Sequence, residues 1–282
     1  DQATAWKTIV DFVHSQGVPI AMQLAHAGRK ASSRPPYAGR GPLAPADGGW
    51  QTVAPSAVGF GTLSTPTELT IPQIEQTVQE FASAAHRALA AGLDAVEIHA
   101  AHGYLQHQFL SPVSNQRTDV YGGDRQGRAK FTLDTVAAVR AVLPDDVPLF
   151  IRLSATDWVD DGWSVEDTVW LVPQLIDRGV DFVSVSSAGN DTRQDVPVGP
   201  GYQIPLSRAV RAASTVPVGA AGLITEPTQA ETALVDGAAD AVLVARQFLR
   251  EPGFALRAAA ELGGHLEWPK QYRMARFEGS IP

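Results

Sequence analysis

The stretch Ala90-Ala-Gly-Leu-Asp-Ala-Val-Glu-Ile98 ends a helical pattern with a glycine, turns through an aspartate and enters an apolar, β-branched run. The same order returns at Asp177–Val185 (DRGVDFVSV) and at Val235–Val244 (VDGAADAVLV). Helix, turn and strand in fixed succession mark an αβ unit. Working outward, the short apolar runs Val18–Ala25, Ala95–Ala100, Leu149–Ala155, Phe182–Ser187, Pro217–Ile224 and Ala241–Ala245 are read as strands. They are near-continuous, as parallel strands covered on both faces should be. Helices are predicted near Thr4–Gln16, Ile71–Ala91, Arg125–Leu143, Ser164–Arg178, Ile204–Ala213, Pro227–Asp236 and Pro252–Leu262. Such a right-handed array is an α/β fold that closes as a TIM (β/α)8 barrel or opens as a doubly wound sheet. The sequence has no G-x-G-x-x-G, no G-x-x-x-x-G-K-[ST] and no H-E-x-x-H. The dinucleotide-fold and P-loop readings therefore lose their main support.

A chain of 282 residues suits one barrel domain over 1–282. Six strands are two short of eight, a deficit of about 60 to 80 residues at roughly 31 per βα unit. It is placed at the front, because the chain opens inside a helix while the C-terminal units are complete. Two apolar sheet edges in water would be an aggregation hazard. The expectation is a barrel without its first two strands, truncated, permuted or completed by another segment. Residues 31–70, rich in Pro, Gly and Ser, form an excursion far longer than an ordinary βα loop. They are read as a lid or subunit contact, with a disordered insertion as the alternative. Residues 265–282 form a C-terminal tail.

With 44% hydrophobic and 18% charged residues the chain can bury a core. Lys plus Arg number 22 against 30 Asp plus Glu, a net charge of −8 without a basic block, which disfavours nucleic acid and anionic membrane as partners. The absence of cysteine excludes a disulfide framework, a thiolate zinc site and a chain-held iron–sulfur cluster. There is no run of about 18 apolar residues and no charged-then-apolar leader pattern at the start, so a cytoplasmic location is expected.

Polar residues inside apolar strands carry the functional signal, since an unpaired polar group is costly to bury. Three stand out: Gln23 in IAMQLAHAG, Arg152 in LFIRLSA and His99 closing VEIHA. The guanidinium of Arg152 stays charged and needs an anion or strongly polar acceptor in the barrel mouth, or an internal salt bridge such as one with Glu97. His99 and His102 are three apart, so a straight strand would point them to opposite faces. A helical turn after Ile98 would bring the rings together, with Gly103 permitting the exit that carries Tyr104 past them. Two imidazole N–H donors suit a carbonyl or phenolate oxygen, and a phenol suits proton donation; a metal site is the rival reading. The histidines at 86, 107 and 265 are read as surface or packing. Small residues at Ala220–Leu223 and Val244–Gln247, where the last two strands end, suggest a phosphate cradle reinforced by Arg246, or merely tight turns.

QLAHAGRKA (23–31), EIHAAHGYLQHQFLSPVSNQRTDVYGGD (97–124), RLSA (152–155), GYQI (201–204), AAGLI (220–224) and ARQFLREP (245–252) together resemble the old yellow enzyme family of FMN-dependent ene-reductases. The similarity is to its short bacterial, thermophilic-like subgroup and runs from about Asp1 to Phe277. That resemblance implies an FMN-binding TIM barrel that reduces α,β-unsaturated carbonyl compounds with NADPH or NADH by a ping-pong mechanism. It implies that Gln23 and Arg152 hold the isoalloxazine, that Gly222, Ala245 and Arg246 hold the FMN phosphate, and that His99 and His102 bind the substrate carbonyl with Tyr104 near the carbon to be protonated.

The segment Gln271–Phe277 resembles a tail that enters the neighbouring subunit's site through Arg273 or Arg276 and an aromatic ring, which implies a homodimer or homotetramer; an ordinary solvated tail is the alternative. Three departures accompany the resemblance: Ala245-Arg246 stands where Gly-Arg is usual, Gly127-Arg128 where Asn-Arg is usual, and the family's first two strands are absent. The competing functions are a non-redox barrel lyase or isomerase acting on a phosphorylated substrate, and a catalytically inactive barrel subunit. The first would want a Schiff-base lysine or a metal, and Lys7, Lys30, Lys130 and Lys270 all fall outside the predicted strands.

Overall fold

The computed structural model describes residues 1–39 and 41–276. In chain order its elements are α1 (Gln2–Ser15), β1 (Ala21–Leu24), β2 (Val53–Ala54), β3 (Thr67–Glu68), α2 (Ile71–Ala90), β4 (Ala95–Ala100), α3 (Leu105–Leu110), α4 (Arg125–Arg140) and β5 (Leu149–Ser154). There follow α5 (Val165–Ile176), β6 (Phe182–Ser186), α6 (Ile204–Ala213), β7 (Val218–Ala220), α7 (Pro227–Val235), β8 (Ala241–Val242), α8 (Arg246–Arg250) and α9 (Phe254–Glu261). β1, β4, β5, β6, β7 and β8 form one parallel sheet in that spatial order, each strand beside its predecessor as in a barrel wall. β1 and β8 stand at its two ends. Among the described residues no helix is long and apolar enough to cross a membrane.

The recurring glycine–aspartate rhythm has a structural cause. Asp94 Oδ2 accepts the Ile20 N–H at 2.7 Å, Asp181 Oδ2 that of Leu149 at 2.8 Å, and Asp240 Oδ2 that of Val218 at 2.8 Å. Each aspartate thus binds the start of the preceding strand of the sheet. A basic side chain from a helix completes each set: His14 on Asp94, Arg140 on Asp181 and Arg211 on Asp240. The helices start where their caps dictate, with reciprocal capping boxes at Thr70 and Gln73 for α2 and at Ser164 and Asp167 for α5.

The central strands have two unlike faces. Ile98, Leu149, Ile151, Leu153, Val183 and Val185 are completely or almost completely buried in the hydrophobic core. Phe150, Arg152 and Ser154 alternate with the apolar residues of β5, and Arg152 stands in register with His99 of β4 and Ser184 of β6. The near-continuous strands expected from the sequence therefore carry one apolar face and one face that becomes polar towards the C-terminal end. β7 and β8 are shorter than expected. After β7 the backbone adopts left-handed angles at Gly222 and Leu223 (φ +118° and +52°), which an extended strand does not tolerate.

The 31–70 excursion is folded rather than merely disordered. It holds short 3₁₀ turns at Pro36–Ala38 and Pro45–Asp47 and the two-stranded parallel sheet of β2 and β3. The buried Arg117 pins its far end by donating to the carbonyl oxygens of Pro55 (2.8 Å) and Leu69 (2.6 Å).

Candidate active site

β4 delivers His99 to the C-terminal end of the sheet, where the chain reverses through His102 and Gly103, both left-handed at φ +57° and +68°. A β-carbon at position 103 would collide with the carbonyl oxygen of Gly189, so glycine is required there. The reversal is thus a left-handed turn instead of the helical turn expected, because it must bring the chain against Gly189. The convergence expected of the rings does occur. The His99 and His102 centroids lie 5.1 Å apart, and the Tyr104 ring meets His99 edge-on at 5.0 Å.

Burial, followed by the positive charge of Arg152, pushes the His99 pKa down to about 4 and that of His102 down to about 3. Both imidazoles are therefore neutral at pH 7, each with one N–H donor and one acceptor nitrogen. His102 Nε2 lies 2.6 Å from Ser186 Oγ, and its backbone N–H donates to Ser154 Oγ at 2.9 Å. His99 Nδ1 is buried without a hydrogen-bond partner.

Arg152 forms no ion pair among the described residues, and its Nε is buried without a hydrogen-bond partner. The internal salt bridge with Glu97, kept open on sequence grounds, does not form. Glu97 instead accepts from Gln23 Nε2 and from Ser184 Oγ. A cavity of about 610 Å³ opens in front of Arg152 and is also lined by His102, Gly222, Ala245 and Arg246. At Gly222 a β-carbon would come 2.8 Å from Gln203 Nε2. Arg246 opens α8, is exposed and makes no ion pair among the described residues. α7, in contrast, begins only at Pro227, so a helix does not follow the AAGLI turn directly.

Gln23 does not line this cavity; it reaches it through Glu97, which does. His99 and Tyr104 are not among the residues lining this cavity; His99 packs against the ring of His102, which is, and Tyr104 against His99. Arg273 and Arg276 are exposed and away from the cavity, with Arg273 paired to Glu267 at 3.1 Å. Of the two aromatic residues in the tail segment, Tyr272 is exposed and Phe277 lies outside the described residues.

Sequence reasoning missed two features. Lys30, set aside because it is not on a strand, donates from Nζ to the carbonyl oxygens of His102 (2.9 Å) and Gly189, over the ring of Phe60. Burial, then the neighbouring Arg29, pushes its pKa down to about 8. Its bonds hold the His102–Gly189 contact together. His107 is completely buried, with Nε2 2.9 Å from Asp157 Oδ1. Only the HQ dipeptide of HGYLQHQFLSP could have signalled it, and two residues give no partner.

Residues 1–264 match the NADH:flavin oxidoreductase / NADH oxidase family. The chain belongs to that family. It is the old yellow enzyme family, whose TIM barrel matches the fold expected from sequence. The NADPH dehydrogenase of Bacillus velezensis is 42% identical over 276 residues, which cover 98% of this chain and 76% of the relative. The NADPH dehydrogenase of Geobacillus thermodenitrificans is 44% identical over 265 residues, 94% of this chain and 73% of the relative.

Among solved structures, morphinone reductase superposes with a TM-score of 0.74 at 29% identity, covering 100% of this chain and 75% of that one. A complex of morphinone reductase with tetrahydroNAD gives 0.73 at 28%, covering 99% and 77%. A 2-naphthoyl-CoA reductase complex, 24% identical with a TM-score of 0.79 and covering 93% of this chain and 40% of that one, shares the fold. Family membership makes the protein an FMN-dependent, NAD(P)H-using oxidoreductase. The residues present fit such a cofactor. An unpaired guanidinium lines the cavity, and Gly222, Ala245 and Arg246, the last without an ion pair among the described residues, line it too.

Proposed function

We propose that the protein reduces the activated C=C bond of α,β-unsaturated carbonyl compounds in a ping-pong reaction. The observation that carries this reading is the pair of buried, neutral imidazoles converging beside an unpaired arginine. The chemistry supplied by bound FMN is hydride transfer, from NADPH or NADH in one half-reaction and to the alkene β-carbon in the other.

Arg152 holds the electron-rich edge of the ring system, where its permanent charge offsets negative charge that builds on reduction. Gln23, which donates from Nε2 to Glu97, would act on the ring system through that carboxylate, which lines the cavity. Gly222, Ala245 and Arg246 take the phosphate, the first two with backbone N–H groups and the third with a bidentate cation. His99 and His102 donate to the substrate carbonyl oxygen, drawing electrons from the β-carbon and stabilising the enolate that follows. Aimed donors of this kind contribute on the order of 3 kcal/mol each to the transition state. Tyr104 delivers the proton to the α-carbon. In the same reading the chains pair as a homodimer or homotetramer, and the exposed tail carries Arg273 or Arg276 to a neighbouring subunit's site. A cytoplasmic location goes with it.

The test is spectroscopic. FMN-loaded protein should bleach anaerobically with NADPH and regain its yellow colour on adding cyclohexenone. Loaded protein that bleaches but is not reoxidised by the enone would overturn the substrate class, and protein that does not bleach would overturn the whole reading.

A further inference from the structure

α3 is buried along all six of its residues, and two of them grip Gly103. The Gly103 N–H donates to His107 Nδ1 at 2.9 Å, and Gln108 Nε2 donates to the Gly103 carbonyl oxygen at 2.7 Å. Because Nδ1 accepts, the ring proton of His107 sits on Nε2, 2.9 Å from Asp157 Oδ1, a close contact with the carboxylate that falls short of hydrogen-bond geometry. The other oxygen of Asp157 accepts from Ser111 Oγ at 2.5 Å and from the Trp163 N–H at 2.8 Å. Both His107 and Asp157 are completely shielded from solvent.

These contacts meet at an unfavourable piece of backbone. His102 is a non-glycine residue in the left-handed region, and such a conformation persists only where its surroundings over-determine it. The Gly103 N–H would otherwise be a buried orphan donor. The geometry points to His107 as a positioning residue whose tautomer, set by Asp157, holds the His102–Gly103 turn and thereby aims the His102 ring. This inference rests on the reading that His102 binds the substrate oxygen. The chain of contacts itself, from Asp157 through His107 to Gly103, does not depend on that reading.

Asp157→Asn separates positioning from packing. Two donors, Ser111 and Trp163, fix the amide carbonyl on their side, so the amide NH₂ must face His107. His107 Nε2 must then accept, its proton moves to Nδ1, and that proton opposes the Gly103 N–H. His107→Asn is the complementary variant, since its Oδ1 stands near the Nδ1 position and can still accept from Gly103.

Two readouts are taken. Histidine-ring ¹⁵N spectra of protein without flavin report the tautomers of His107 and the environment of His102. Titration of FMN-loaded protein with para-chlorophenol, followed by long-wavelength absorbance, reports the aim of the imidazoles. The expected results are an Nε2–H tautomer for wild-type His107, an Nδ1–H tautomer and shifted His102 signals in Asp157→Asn, and phenol binding weakened about tenfold or more. His107→Asn should stay within about threefold of wild type. Unchanged His102 signals in Asp157→Asn overturn the inference, as does equal weakening in both variants, which would indicate loss of packing alone. If wild-type protein gives no phenol band, the substrate-binding reading fails, while the ring spectra still decide the positioning claim.

Discussion

On one side of the cavity His102, and Gly103 next to it, are held by buried groups from β5, β6 and α3, whereas Gly222, Ala245 and Arg246 follow the two shortest strands of the sheet, and Ala245 and Arg246 are exposed. The first end must be rigid before a ligand arrives, because donors stabilise a developing oxyanion only if they need no reorganisation. The second end offers backbone groups and one long cation, enough to bind an anion that brings its own charge.

This contrast yields its largest expected effect at the donor end. Replacing His99 and His102 together by alanine should lower kcat for a cyclic enone by at least about 10²-fold, while FMN content stays near wild type. Steady-state kinetics with a flavin assay check this, and a matching loss of flavin would blur the division between the two ends.

Paired glycine substitutions sharpen the same division. Gly103→Ala drives a methyl group into the Gly189 carbonyl and should cost about 3 kcal/mol or more of stability. Gly222→Ala meets a side chain rather than backbone, the Nε2 of Gln203 at 2.8 Å and its Cβ and Cγ at 3.1 Å, and should cost less, about 1–2 kcal/mol, with a larger loss in FMN affinity. Urea denaturation and FMN titration of both variants separate the outcomes; equal stability losses would erase the contrast.

An effect of pH on the donor end is expected as well. Since folding lowers the pKa of His99 and His102 from 6.5 to about 4 and about 3, the unfolded chain takes up protons below pH 6.5 that the folded chain does not. Stability therefore falls as pH drops from about 6.5 to about 4, by about 2–3 kcal/mol per histidine. The double alanine variant should show a flatter profile over that window, leaving the contribution of His26, whose pKa burial also lowers. Denaturation midpoints measured at intervals between pH 4 and 7 check it.

How much of this was legible in the sequence follows from what each feature depends on. The six-strand order, the longer helices and the aspartate rhythm were readable because local periodicity and turn chemistry set them, and Ile204–Ala213 matches to the residue, whereas the six-residue α3 was too short to show a period. Arg152 of the cavity was readable because it breaks an apolar strand. The left-handed turn at His102 was not, because it is imposed by Gly189, which is 87 positions away. Nor was the partnership of His107 with Asp157, since their 50-residue separation leaves no trace in either segment. The strand lengths of β7 and β8 were overestimated because small residues such as Gly222 read equally as strand or turn until the backbone angles are known.

The central claim is that Arg152 is left without a protein carboxylate because the cofactor is its partner. Flavin fluorescence during titration of FMN into wild-type protein and into Arg152→Met, with urea denaturation of both in the absence of flavin, tests it directly. The account predicts an FMN Kd raised about tenfold or more in the variant, with stability unchanged or increased once an uncompensated charge is removed. An unchanged Kd together with a marked loss of stability would show that Arg152 serves the fold and would contradict the account.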